Sequence, residues 1–214
     1  TGRGFTPIVS VNLNLIDKIN IAAKYEHHTK IELTNETEVD DVGMFPDGEK
    51  TRADLPGMFT LGASVTPFDK LSASVGFNYF LDIPAYYGSV NESGEQISNE
   101  TTIDENAYTL SGSLEYKLLG ILGVSAGYSF GNLGVNDNYQ SDLSYALKSS
   151  TVAGGVFVDV GELLTINAGV VYVMYDDYTK AQSYQPTGFP QAVPFNDTYG
   201  KNTMIIAVGV DISL

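Results

Sequence analysis

The chain has 214 residues, with 26 acidic and 11 basic side chains and a formal net charge of −15. This excess of acidic residues argues against nucleic acid as a partner, because phosphates are bound by Lys and Arg. The absence of cysteine excludes disulfides and thiolate metal sites, and no apolar run is long enough for a transmembrane helix. A transmembrane β-barrel is compatible with this composition, because its strands alternate polar and apolar residues.

Alternation of polar and apolar residues predicts nine β-strands, since side chains of a strand point to opposite faces with a period of two. The fourth strand shows the pattern best: the odd positions from Leu71 to Leu81 are apolar and the even positions are small or polar, except Phe80. The predicted strands cover about 6–15, 19–34, 56–66, 71–81, 107–118, 122–130, 150–160, 164–175 and 202–214.

The connections between these strands alternate in length. Tight turns are predicted at 16–18, 67–70, 119–121 and 161–163, and long polar loops at 35–55, 82–106, 131–149 and 176–201. All long loops then lie at one end of the sheet, as in outer-membrane barrels with short periplasmic turns and long extracellular loops. The prediction is an all-β, transmembrane, antiparallel up-and-down β-barrel with extracellular long loops. A soluble β-sandwich is the alternative, although nothing in that fold requires the long loops to lie at one end and the short turns at the other.

Aromatic residues recur at the loop end of the predicted strands. They fall about eight residues beyond each tight turn, a climb of roughly 20 Å that approaches the height of an outer-membrane apolar band. A girdle at the outer membrane interface is predicted, because a Tyr ring prefers hydrocarbon and its hydroxyl prefers water. Its members are Tyr25, Phe77, Tyr79, Tyr128, Phe130 and Tyr172.

Several strand motifs resemble the FadL/TodX family of outer-membrane transport proteins. The resemblance rests on residues 6–14 (TPIVSVNLN), 15–26 (LIDKINIAAKYE), 54–64 (DLPGMFTLGAS) and 69–79 (DKLSASVGFNY). It implies a 14-stranded barrel with an N-terminal hatch that carries long-chain fatty acids or other hydrophobic compounds inward. Residues 1–214 would then be the C-terminal part of the barrel, without the hatch and the first strands.

The number of predicted strands points the same way. Strands joined by hairpins alternate in direction, so the first and ninth strands run in parallel. Closing nine strands would need a parallel seam, whereas bacterial single-chain barrels use an even number. An open strand edge in hydrocarbon leaves backbone groups unsatisfied, at a cost of several kcal/mol for each group. We therefore expect the two terminal strands to pair with other strands.

Nine residues are predicted to line the lumen. Apolar side chains on the otherwise polar face favour a route for a hydrophobic ligand, and charged ones would line the path or pair across strands, of which pairing is favoured. The nine are Lys24, Glu26, His28, Phe80, Glu115, Phe157, Val171, Val173 and Ile205.

No catalytic site or cofactor is predicted. Alternation places His27 and His28, which are the only histidines, on opposite faces, so they do not form a catalytic pair. The acidic residues of 35–55 and 82–106 are predicted to be solvated, and their spacing does not match an EF-hand. The alternative is that divalent cations bridge these loops to anionic headgroups of outer-membrane lipid or lipopolysaccharide.

Two functions remain open from the sequence. The first is passive uptake of a hydrophobic small molecule, such as a long-chain fatty acid, through the barrel. The second is a structural or interaction barrel whose acidic extracellular loops bind a partner protein or a surface ligand. A hydrophobic molecule retained in the lumen would favour the first, and a plugged lumen with a partner on the loops would favour the second.

Overall fold

The computed structural model describes residues 1–43, 46–90, 95–161, 163–188 and 190–212. Nine long antiparallel strands form one sheet in which each strand pairs with its neighbours in the chain. This confirms the predicted all-β up-and-down architecture. The strands are β1 (Ile8–Ile16), β2 (Ile19–Glu26), β3 (Gly57–Phe68), β4 (Leu71–Leu81), β5 (Tyr108–Lys117), β6 (Leu122–Asn132), β7 (Ser149–Val160), β8 (Leu164–Tyr175) and β9 (Asn202–Ile212).

The sheet is open within the part of the chain that the structure describes. β1 and β9 are its two edges, and no pairing joins them. Because every neighbouring pair is antiparallel, β1 and β9 run in the same direction. The tight turns therefore lie at one end of the sheet and the four long connections at the other.

The strand register separates two faces, since directly paired residues of antiparallel strands lie on the same side. One row joins Ala23, Leu61, Phe77, Leu110 and Phe130 across five strands. This side, the apolar face, carries large exposed side chains, and Val208 is 73% exposed. The opposite side, the polar face, is built largely from Ser, Thr, Asn and Gly. Its paired rows include Lys24–Thr60–Asn78–Thr109 and Asn20–Ser64–Ser74–Ser113.

The second strand is shorter than predicted, because it ends at Glu26 rather than at residue 34. Its neighbours β1 and β3 begin just after Pro7 and Pro56, which have no backbone N–H to continue the ladder. The chain then leaves the sheet, and Glu32–Thr34 pairs with Gly2–Arg3 and Lys50–Arg52 in a small separate sheet. Lys30 and Glu32, which belong to the predicted second strand 19–34, are therefore not part of the long sheet. The other strand ends differ from the prediction by two residues or fewer, and residues 213–214 of the last predicted strand lie outside the described residues.

The long connections contain regular structure and most of the buried residues in the described ranges. The connection 82–107 includes a 3₁₀ turn at Asn99–Thr101, and 176–201 forms a hairpin of Tyr178–Tyr184 with Val193–Tyr199. Apolar residues that are buried within the described ranges all lie in the connections. They are Ala85, Ile103, Ala107, Ala146, Leu147 and Tyr199.

Hydrogen bonds join each long connection to the next. The Asn136 backbone N–H donates to the Thr102 carbonyl, linking 133–148 to 82–107. Lys180 Nζ donates to the carbonyls of Asp137 (2.8 Å) and Gln140 (2.9 Å), linking the hairpin to 133–148. We call the connections 27–56, 82–107, 133–148 and 176–201 together the loop layer. These links fix it as a single structured cover at the loop end of the sheet.

Candidate binding surface on the polar face

Three of the predicted lumen residues come together on the last strands of the sheet. Val171 on β8 lies between its direct partners Ala153 on β7 and Ile205 on β9. Val173 is the next residue of β8 on this face, and Ala207 follows Ile205 on β9. Direct partners in an antiparallel sheet have Cβ atoms about 4.5–5.5 Å apart, so Ala153, Val171 and Ile205 form one row of neighbouring side chains. We call these five residues the apolar patch.

Phe157 lies below the apolar patch, toward the tight turns. Its ring covers Gly123 of the neighbouring strand so closely that a Cβ at position 123 would overlap it. Glycine is therefore required at this position for the ring to lie flat on the sheet. Phe157, Val171, Ile205 and Ala207 line one concave space of about 660 Å³.

The tight-turn end of the same space is acidic. The Thr165 hydroxyl donates to Asp159 Oδ1 over 2.7 Å, and Asn167 Nδ2 donates to Asp211 Oδ2 over 2.7 Å. Glu115, another predicted lumen residue, also lines this space, beside Lys117. The polar face of β7–β9 thus changes from apolar in the middle to acidic at the tight-turn end.

The loop end of the polar face forms a second space, of about 350 Å³, beneath the loop layer. Phe80, which was predicted to face the lumen, lines it together with Tyr175 and Lys201. Lys201 Nζ lies 4.6 Å from the ring centroid of Tyr175 and 5.2 Å from that of Tyr145. Sequence reasoning missed Tyr175 and Lys201, although Tyr175 continues the alternation of Val171 and Val173.

Lys24 and Glu26 lie on β2, far across the sheet from the apolar patch. They form an ion pair with each other along one strand, whereas pairing across strands was favoured from the sequence. A residue and its second neighbour lie on the same face of a strand, which allows this contact.

His28 lies beyond the end of β2, within the loop layer. Its Nε2 is 3.1 Å from Asp54 Oδ2, and the Asp54 side chain is fully buried. The Asp54 carboxylate also accepts hydrogen bonds from the Arg52 guanidinium and from the backbone N–H groups of Ile31 and Tyr86, each of the latter over 3.2 Å. Burial acts to raise the pKa of this carboxyl, but the hydrogen bonds from Arg52, His28, Ile31 and Tyr86 outweigh it, and the pKa lies below its ordinary value.

His27 is separated from this network, as its Nδ1 lies 2.9 Å from the Tyr25 hydroxyl. The two histidines therefore face different partners. The four partners of Asp54 join three segments of the loop layer, so the network ties this layer together. Asp54 was noted from the sequence only as one of many acidic loop residues.

The acidic side chains of the loop layer were considered as a site for divalent cations. In the described residues, no group of three or more acidic or histidine side chains is arranged to hold a metal ion. Glu92, which belonged to the predicted acidic set, lies outside the described residues. Bridging of these loops to anionic headgroups by divalent cations stays a prediction.

The apolar face carries a shallow hollow of about 650 Å³. Its floor is formed by small residues, Ala63, Ala73, Gly112 and Ala126, and Tyr128 stands at its border. No charged side chain lines it among the described residues.

The described residues contain no helix long and apolar enough to cross a membrane.

Comparison with known proteins identifies the fold. No protein-family model matches the chain, and no curated protein matches it in sequence. Two solved structures of the Pseudomonas putida toluene transporter TodX match it with probability 1.00. One has a TM-score of 0.51 at 16% identity over 98% of this chain, and the other a TM-score of 0.50 at 14% identity over 99%. The CymD monoaromatic hydrocarbon channel matches 79% of the chain at 10% identity, with a TM-score of 0.49.

The chain spans about half the length of the solved structures that it matches, since it covers 48% and 50% of the two TodX chains. The described sheet therefore has the fold of a large part of the wall of a TodX-type barrel. This agrees with the resemblance noted in the strand motifs.

Proposed function

We propose that this chain forms part of the wall of an outer-membrane channel for the passive uptake of hydrophobic small molecules. The observation that carries the proposal is the apolar patch, which interrupts an otherwise polar face on β7–β9. TodX, whose fold the chain shares, is described as a toluene transporter. Long-chain fatty acids are a narrower substrate class that rests on the resemblance in the strand motifs.

The apolar face supports placement in a membrane. Large apolar patches are rare on soluble monomers, yet here each of the nine strands carries exposed large apolar side chains on this face. The strands have 8 to 12 residues, which suits the roughly 9–11 residues that a tilted transmembrane strand needs. Aromatic side chains pack in a row at the loop end. The ring centroids of Phe77 and Tyr79 are 6.2 Å apart, and those of Tyr108 and Phe130 are 6.1 Å apart. In this placement, the apolar face contacts outer-membrane lipid and the loop layer lies outside the cell, next to lipopolysaccharide.

The open edges support a larger barrel. In hydrocarbon, the free backbone groups of β1 and β9 would each cost several kcal/mol, so both edges need partners. The proposal is that further strands complete the barrel, to 14 in total on the resemblance, and enclose the polar face.

The apolar patch would act as a weak binding site for the ligand inside the completed barrel. Transfer from water to an apolar surface stabilises a ligand by roughly 25 cal/mol per Å² of buried area, so contact over about 100 Å² contributes about 2–3 kcal/mol. That is enough to concentrate a hydrophobic molecule and weak enough to release it. The Ser, Thr and Gly around the patch offer no comparable surface.

The proposal is tested by uptake into cells that produce the full-length protein. Val171→Asn with Ile205→Asn makes the patch polar at similar side-chain size, and is expected to reduce uptake of radiolabelled toluene to the level of cells without the protein. Ser129→Asn, on the polar part of the same face, is the matched control and should leave uptake unchanged. Equal uptake by all variants would contradict a role for the patch. Specific binding of a protein to the loop layer, with no uptake by the wild type, would favour the interaction barrel instead.

A further inference from the structure

The loop layer contains a cavity between the connections 82–107 and 133–148. It has a volume of about 490 Å³, which lies within the roughly 300–1,000 Å³ that is usual for small-molecule sites. We call it the loop cavity. The described residues of its lining include neither the apolar patch nor Lys201. Its aromatic and aliphatic walls include Tyr87, Ile97, Ile103, Leu133 and Tyr139.

A buried carboxylate lies in the wall of the loop cavity. Asp82 is the one charged residue among the described residues that line it, and it is only 7% exposed. Its carboxylate accepts hydrogen bonds from the Ala107 backbone N–H over 3.1 Å and from the Tyr87 hydroxyl. Burial, this hydrogen bond and the charge of Asp82 raise the pKa of Tyr87, so its phenol remains a donor. A carboxylate has about four lone-pair sites, so these two donors leave about two sites for a ligand.

The chain does not supply Asp82 with an opposite charge. Its two donors are uncharged, and the ion pairs among the described residues involve Lys24, His28, Lys50 and Arg52 but not Asp82. A buried carboxylate without an opposite charge carries a large desolvation cost. The connection 82–107 contains further acidic residues and no basic residue, so the local field attracts cations. Asp82 thus marks a place for a cation from outside the chain.

The lining of the loop cavity favours an organic cation over a metal ion. Hard metal ions such as Ca²⁺ take roughly six to eight oxygen ligands. Among the described residues, no group of three or more acidic or histidine side chains is arranged to hold a metal. Apart from Asp82, the described lining consists of aromatic, aliphatic and uncharged polar residues. Aromatic rings attract organic ammonium ions, and aliphatic side chains provide contact for an apolar body.

We infer that the loop cavity binds an organic ammonium ion, with its nitrogen at Asp82 and its apolar body against Ile103, Leu133 and Tyr139. The N–H groups of the ammonium donate to the carboxylate in charge-assisted hydrogen bonds, which are stronger than those between neutral groups. The bound cation supplies the opposite charge that the buried carboxylate lacks. This inference goes beyond the proposed function, because the site lies in the loop layer rather than on the barrel wall. It does not depend on uptake through the barrel.

The test compares two ligands of matched shape, 3-phenylpropylamine and the neutral 3-phenylpropan-1-ol. The amine is protonated at neutral pH, because primary alkylamines such as the Lys side chain have a pKa of about 10.4. Binding is measured by calorimetric titration of the full-length protein in phosphatidylcholine nanodiscs, with the signal of empty nanodiscs subtracted. The wild type is expected to bind the ammonium ion about tenfold more tightly than the alcohol.

Three variants locate the site. Asp82→Asn should abolish the preference by weakening binding of the ammonium ion alone. Ser89→Trp places a large ring in the exposed part of the lining, leaves Asp82 and its donors unchanged, and should weaken binding of both ligands. Glu100→Gln removes a negative charge from the same connection at an exposed residue that does not line the loop cavity. It is the matched control, for which binding of both ligands should be unchanged.

Other outcomes overturn the inference. Equal weakening of both ligands by Asp82→Asn would show that the carboxylate only holds the loops in place. Unchanged binding in Ser89→Trp would place the ligands outside the loop cavity, and loss of the preference in Glu100→Gln would indicate a general field.

The inference and the proposed function fail separately. The preference for the ammonium ion should persist in the variant Val171→Asn with Ile205→Asn, and its loss there would place the cation on the barrel wall. If the wild type binds the alcohol as tightly as the ammonium ion, the loop cavity is not a cation site. The proposed uptake of hydrophobic compounds, which is measured with toluene, would then stand unaffected.

Discussion

At the scale of single residues, Asp54 has the most connected side chain in the loop layer. Its buried carboxylate joins Arg52, His28 and two backbone N–H groups. Asp54→Asn removes the charge and leaves Arg52 without its partner, which should destabilise the loop layer by roughly 2 kcal/mol. The expected result is faster trypsin cleavage after Lys50 and Arg52 with the strands still intact. Asp47→Asn, at an exposed carboxylate that accepts from the Thr37 backbone over 3.0 Å, is the control and should change cleavage little.

The same carboxylate predicts a pH dependence. Because the pKa of Asp54 is lowered in the folded protein, its stabilising contribution is complete above the unfolded value of about 3.9 and is lost as the pH falls through the lower folded value. Hydrogen exchange in 27–56 should therefore be slow from neutral pH to about pH 4, once the intrinsic effect of pH is corrected, and should become fast below it. In Asp54→Asn this acid transition should disappear. Its persistence in that variant would assign the transition to another group.

At the scale of elements, the ring of Phe157 and the absence of a side chain at Gly123 depend on each other. Gly123→Ala would force the ring off the sheet, which we expect to cost about 1–3 kcal/mol as overpacking does elsewhere. In the background Phe157→Ala, the same change at position 123 should cost almost nothing. Chemical unfolding of the four proteins in detergent measures this coupling, and additive effects would contradict the packing described.

Adjacent positions of β8 distinguish the two faces. Val170 lies on the apolar face and Val171 on the polar face. In lipid, Val170→Arg should destabilise the protein by about 2–4 kcal/mol, whereas Val171→Arg should affect ligand uptake far more than stability. Unfolding in phospholipid vesicles gives both free energies. Equal destabilisation would show that the apolar face does not meet the bilayer core.

The hairpin of the last long connection is held by Tyr178, whose hydroxyl donates to the Asp137 carboxylate. This hydrogen bond, together with burial and the charge of Asp137, raises the pKa of Tyr178 to about 12. The neutral phenol stabilises the docked hairpin below its ordinary pKa of about 10, and that contribution is lost as the pH rises through about 12. Tyr178→Phe should release the hairpin at neutral pH, measured as wider spin-label distances between the hairpin and 133–148. Unchanged distances would show that the other contacts with 133–148, made by Lys180 and by the Tyr199 hydroxyl to Asp142, are sufficient.

The sequence predicted the strands well and the loop layer poorly, for a physical reason. Alternation reports on a side chain's face, so it located β4 at 71–81 without error and placed Val171, Val173 and Ile205 on one face of the sheet. That these three residues line a lumen stays a prediction. The alternation did not predict the end of β2 at Glu26. This end is set by the neighbouring strands β1 and β3, whose hydrogen-bond ladders stop at Pro7 and Pro56. Contacts such as Asp54 with Tyr86 or Lys201 with Tyr145 join segments far apart in the chain, and no local pattern encodes them.

At the scale of the whole molecule, the fold has an exposed apolar face, a polar face with one apolar patch, and buried residues gathered in the loop layer. This distribution is the reverse of a soluble sheet protein, whose core lies between its sheets. It fits a barrel wall with lipid on one side and an enclosed route on the other.

The long loops would then lie outside the cell. A tag at Gly48 should therefore be reached by antibody on intact cells, while a tag at Asp69 should not, and equal access to both would overturn that orientation.

The most direct measurement is photoaffinity labelling of the full-length protein in lipid vesicles with an alkyl-diazirine analogue of a hydrophobic ligand, followed by mass spectrometry of the modified residues. We predict that modification at Val171, Val173 and Ile205 is suppressed by excess unlabelled ligand. Modification at Val170 and Ile206, on the apolar face, should reflect the probe dissolved in lipid and should not be suppressed. Labelling confined to the apolar face, with none on the polar face that excess ligand removes, would contradict a hydrophobic route through this protein.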